Sequence, residues 1–161
     1  LTAQASLFPE SQAEFVERLD SQILALLMGH PGGPLALSLD EGEKAVLRAI
    51  RYHRGLDAAI NIREIQQQSK LDVRSIKGII RTLRISFRLP IGSSKHGTEG
   101  GYYLILTEAD RAAWVKEVFD QVRAEVAVVR AAAGHQAGLE LLGQLHMQMQ
   151  QENEAEATHA G

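Results

Sequence analysis

The sequence predicts a mainly α protein with a small β-hairpin, and three observations lead there. Apolar residues recur at steps of three and four over most of the chain, the spacing that puts them on one helical face. Two segments, Arg88–Ser93 and Tyr102–Leu106, break that spacing and carry β-favouring residues such as Tyr102, Tyr103 and Ile105. The residues between them, Ser94-Lys95-His96-Gly97-Thr98-Glu99-Gly100-Gly101, form a polar, glycine-rich tip.

In chain order, residues 1–10 read as a loose leader. Ser11–Met28 predicts an amphipathic helix with Phe15, Val16, Leu19, Ile23, Leu26 and Leu27 on one side. Gly29-His30-Pro31-Gly32-Gly33-Pro34 breaks it. Asp40 with Glu43 makes a capping box for a helix whose inner face is Ala45, Val46, Ala49, Ile50 and His53, with Gly55 placed to end it. Ala58–Asn61 predicts a short strand. Asn61 with Glu64 caps a helix from Ile62 to about Ser69.

Lys70 and Leu71 then turn into Asp72, the N-cap of a helix over 72–87. Val73, Ile76, Ile79, Ile80, Leu83 and Phe87 form its apolar stripe, and Arg74, Lys77, Arg81, Arg84 and Arg88 a basic one beside it. Ser75, Gly78 and Thr82 between them are small. A glycine in a helix interior costs about 1 kcal/mol against alanine, so Gly78 calls for a reason. After the hairpin, Thr107 caps a long helix to about Ala133. There Val115, Phe119, Val122, Val126, Val129 and Ala133 make a heptad seam, widened by Trp114 and Val118. Gly134 breaks it, a further helix is expected over Leu139–Met149, and residues 151–161, with Glu152, Glu154 and Glu156, are expected to be a disordered acidic tail.

Helix, short strand, helix, helix and two strands is the order of a winged helix-turn-helix domain, here with N-terminal and long C-terminal helical extensions. The expected organisation is an N-terminal helix and linker (1–34), a winged-helix DNA-binding domain (35–107), a helical dimerisation segment (108–150) and the tail.

Charge segregation points the same way. The chain carries a net −3, but residues 44–98 hold twelve Lys/Arg and three acids (Asp57, Glu64, Asp72), a net of +9. No acid occurs between Val73 and Thr98. A helix that buries one stripe and offers cations on another suits an anionic groove. The expected DNA contacts are Arg74, Ser75, Lys77 and Arg81 for base edges and nearby phosphates. Arg84 and Arg88 are assigned to phosphates, Lys95 and His96 to the wing, and Arg63 to the backbone from the preceding helix. Val115, Phe119, Val122, Val126 and Val129 are assigned to a homodimer that presents two recognition helices to two half-sites. The competing expectation is a winged-helix module whose basic stripe docks an acidic protein partner.

The segments NIREI, DVRSIKGIIRTLR, LPIGS and GYYLI, followed by a T-E-x-D helix start, resemble small winged-helix DNA-binding proteins of bacteria and their phages. The resemblance covers about residues 40–130 and implies the fold and DNA contact, in the role of a transcriptional regulator or a phage-type control or replication factor. The long tip with Glu99 and the additional N-terminal helix depart from that pattern.

Chemistry of other kinds is not indicated. The six histidines (His30, His53, His96, His135, His146, His159) lack metal-ligand spacing. No nucleotide loop, dinucleotide fingerprint or nucleophile elbow occurs. The absence of cysteine removes disulfides and thiolate metal sites. No apolar run approaches the roughly 18 residues needed to span a membrane, and no signal peptide is visible. The expectation is therefore a cytoplasmic, non-enzymatic protein with no cofactor, no metal and no catalytic residues, whose partners are duplex DNA and a second copy of itself.

Overall fold

The computed structural model describes residues 11–33, 36–95 and 100–159. Among them are six α-helices and one two-stranded hairpin: α1 (Gln12–Leu27), α2 (Glu41–Ile50), α3 (Ile62–Ser69), α4 (Val73–Ile85), β1 (Ile91–Ser94), β2 (Gly101–Leu104), α5 (Glu108–Ala133) and α6 (His135–His159). The protein is mainly helical with a small antiparallel hairpin, as its sequence predicts. The chain divides into two compact units, one ending at Trp114 and one beginning at Val115.

Helix starts are set by local chemistry. Ser11, Asp40 and Asn61 each form a capping box with the glutamate three residues on. Each side chain thereby satisfies amides that have no partner within the helix. Asp72 caps α4 alone, its carboxylate accepting from the amides of Arg74 (2.9 Å) and Ser75 (3.0 Å).

The core of the first unit is one apolar cluster. Phe15, Leu19, Ile23 and Leu26 of α1 meet Val46, Leu47 and Ile50 of α2, Ile65 of α3, and Ile76, Ile80 and Leu83 of α4. The N-terminal helix is therefore part of the same core as the three helices after it. The expected boundary at residue 34 does not separate them: among the described residues, the buried side of α1 lies in the same apolar cluster as α2, α3 and α4. Gln22 adds a polar tie, its side-chain amide donating to the carbonyl of Phe87 at 3.0 Å, just beyond the end of α4.

The hairpin pairs Ile91 with Leu104, Gly92 with Tyr103, Ser93 with Tyr102 and Ser94 with Gly101. Both strands differ in position from the expected 88–93 and 102–106. Arg88 takes a left-handed conformation (φ 54°) that reverses the chain after α4, so pairing starts only at Ile91. Gly92 is required by close packing: a Cβ there would lie 2.6 Å from the ring of Tyr103. The expected strand at 58–61 is instead a 3-10 turn (Leu56–Ala58) followed by a single bridge, in which Ile60 and Tyr102 exchange both backbone hydrogen bonds (2.9 and 2.8 Å). Gly55 opens that turn (φ 79°) and does not end α2, which closes at Arg51.

The start of α5 is held within the first unit by Asp110. Its carboxylate accepts from the amides of Leu56, Leu106 and Thr107 and from the Thr107 hydroxyl, the last at 2.8 Å. In the second unit, α5 and α6 are long helices joined at Gly134 (φ 94°). Residues 151–159 of the expected unstructured tail (151–161) are helical, and residues 160 and 161 lie outside the described residues. The α6 helix runs to His159 there, built from Gln, Glu and Ala, all good helix formers. Among the described residues no helix is long and apolar enough to cross a membrane, and no cluster of His, Asp or Glu could hold a metal ion.

Candidate nucleic-acid interface

The α4 helix is anchored on one side and open on the other. Ile76, Ile80 and Leu83 are fully buried, and Phe87 just past its end is buried with them. At about 100° per residue, Arg74, Gly78, Arg81 and Ile85 fall within an arc of about 60° on the opposite side, with Lys77 at its edge. All five are exposed. Among the described residues, the side chains of Arg74, Lys77 and Arg81 have no hydrogen-bonding or ionic partner. The apolar anchor and the open cations thus occupy the faces that their spacing predicts.

The nearest acid is committed to the helix itself. Besides two amides, Asp72 accepts from the Ser75 hydroxyl at 2.6 Å. That hydroxyl, followed by the backbone amides, holds the Asp72 carboxyl below its ordinary value. One consequence falls on Ser75: its hydroxyl serves the cap, which leaves Ser75 less free to read a base than its position alone implies.

Arg84 departs from the expected stripe. It lies about 80° round the helix from Arg74, on the flank that turns toward the body. Its Nε donates to the carbonyl of Ile91 in β1 at 2.7 Å. The guanidinium sits over the Trp114 ring, 5.3 Å from the centroid. Burial lowers its pKa, while Tyr102 and Tyr103 nearby act in the opposite sense. Burial in turn raises the Tyr102 phenol, opposed by Arg84. Arg84 is therefore a brace between α4, the hairpin and the start of α5, and a phosphate contact from it would require breaking that brace.

The other expected contacts lie outside α4. Arg63, in the first turn of α3, and Arg88, on the turn after α4, are exposed and already have interactions within the chain. Lys95 is exposed at the end of β1 and likewise has one. His96 lies outside the described residues. Spacing alone misses the roles of two residues. Trp114, which on spacing widens the seam, packs against Arg84 within the first unit. Ile85, 59% exposed, stands among the open arginines. Its signal lies in the sequence: it follows Arg81 by four and Gly78 by seven.

The seam residues of α5 belong to the second unit. Val115, Val118, Phe119 and Val122 are exposed and Val126 and Val129 half-buried. The α6 helix likewise exposes Leu139, Leu142, Leu145, Met147 and Met149.

No family model matches this chain, and no curated protein matches it. Among solved structures, it is similar to one described as the mechanism for regulation of DNA binding of Bordetella bronchiseptica BpsR by 6-hydroxynicotinic acid. The two are 16% identical over 91% of this chain and 99% of that chain, with a TM-score of 0.35. At that similarity the neighbour's ligand and target remain properties of that protein.

Proposed function

We propose that this protein is a winged-helix DNA-binding protein, a transcriptional regulator or a phage-type control or replication factor, that binds duplex DNA as a homodimer. The observation that carries the reading is the open row of Arg74, Lys77 and Arg81 on a helix pinned from behind by Ile76, Ile80 and Leu83. Cations held on a rigid element and lacking acidic partners keep their field available to phosphates. Arginine adds a two-pronged donor suited to guanine in the major groove. The hairpin beside α4 is the wing, with Lys95 at its described edge. The exposed seam on α5 supports a second copy as the partner, since an apolar row of this regularity gains stability by burial against its like.

The test is a titration of labelled duplex at several salt concentrations. If each protomer neutralises about four phosphates, log affinity against log salt has a slope of about −3.6 per protomer and about twice that for a dimer. The Lys77→Ala/Arg81→Ala double variant lowers affinity and flattens the slope, by about one for each phosphate no longer neutralised. Absence of binding at low salt, or binding indifferent to both salt and the double variant, overturns the proposal.

A further inference from the structure

The glycines of the first unit mostly have a structural reason visible in the fold. Gly29, Gly33, Gly55 and Gly100 take positive φ, and a Cβ at Gly32, Gly92 or Gly101 would press within 3 Å of a neighbour. Gly78 has neither reason. It sits in the interior of α4 with ordinary helical backbone, and a Cβ built on it meets nothing within 4 Å. An alanine would fit and would favour the helix. Nothing in the described chain requires glycine there; the same is true of Gly143 in α6, and what sets Gly78 apart is its place among open arginines. Its surroundings say what comes close: Gly78 lies between Arg74 and Arg81 on the open basic face, one turn from each.

We infer that Gly78 is the point of closest approach between α4 and DNA, the place where the helix backbone itself rests against base edges in the major groove. This inference rests on the duplex-binding reading above. A helix with its side chains is about 10–12 Å across. The major groove of B-DNA is about 12 Å wide. With so little clearance, one missing side chain on the inserted face decides how deep the helix sits. Deep seating at Gly78 brings Arg74 and Arg81, on either side, within reach of the base edges. A side chain at 78 lifts the helix and leaves those arginines short. Gly78 is thus a positioning residue for the arginines, and it also excludes bases that project into its space.

The experiment uses the full chain and a genomic duplex selected by the wild-type protein, with affinity and thermal stability measured on Gly78→Ala and Gly78→Leu. Alanine is expected to melt about 2–4 °C higher than glycine, yet to bind about fivefold or more weakly, the scale of one mismatched base pair. Leucine is expected to bind more weakly still. Gly143→Ala is the control: it too has open space around it, on α6, and gains stability with unchanged affinity. If both Gly78 variants bind as tightly as wild type while Lys77→Ala/Arg81→Ala does not, this inference is overturned and the duplex-binding reading stands. If wild type selects no duplex, that reading fails and this inference with it.

Discussion

Arg81 and Arg84 stand three positions apart on α4 and do different work. Arg81 is open to solvent; Arg84 is committed to the fold, with one hydrogen bond to the Ile91 carbonyl and a ring beneath its guanidinium. Hydrogen bonds from charged groups contribute about 1.5–3 kcal/mol, and a desolvated cation–π contact about 1–2. Against that, Arg84 Nη2 and Trp114 Nε1 are buried without hydrogen-bond partners. On balance Arg84→Ala should lower stability by about 2 kcal/mol, read from urea unfolding. Arg84→Lys should recover little of it, since an ammonium does not reproduce a flat group stacked on a ring while its Nε bonds sideways. A variant as stable as wild type would show that the brace is dispensable.

At the scale of the element, α4 depends on its cap. Asp72 is the acceptor for the first amides of a helix whose side chains include no acid, so the cap carboxylate is also the nearest anion to the helix's own positive end. Because its folded pKa lies below the ordinary value of 3.8, the ionised form is favoured by folding. The stabilisation is present in full above that value and is lost as the pH falls through the lower folded pKa. Acid unfolding of wild type and Asp72→Asn, followed by circular dichroism, should show a stability difference that is constant at neutral pH and shrinks below about pH 3.8. A difference unchanged into strong acid would mean that the carboxylate charge contributes nothing to the cap. The ion pairs on α5, such as Lys116 with Asp120 (2.8 Å), are exposed and add little.

At the scale of the whole molecule, the first unit buries most of its apolar side chains in one core and the second leaves many of its own in water. Phe119 is 59% exposed, with Val115 and Val122 beside it in the same seam. A second copy of α5 would remove that surface from water, at about 25 cal/mol for each Å² covered. Phe119→Asp combined with Val122→Asp should therefore convert a dimer to a monomer in sedimentation, with the hairpin unit still folded. The slope of DNA affinity against salt should fall to about half in the same variant. A dimer that persists through both substitutions would place the interface elsewhere.

What the sequence determined by itself was most of what depends on neighbours three or four residues away. The capping boxes at Asp40 and Asn61, the apolar stripe of α4 and the order of helices and hairpin all follow from local spacing, because caps and periodicity are satisfied within one element. The tertiary structure decided what depends on the far side of a contact. Both Arg81 and Arg84 belong to the basic stripe on spacing alone; only the placement of Ile91 and Trp114 turns one inward. The N-terminal helix reads as a separate segment until α1 is seen in one buried cluster with α2, α3 and α4, and the polar composition of residues 151–159 conceals the last turns of α6. An element's own chemistry specifies which faces it has, and packing against distant parts of the chain specifies which of them remain open to solvent.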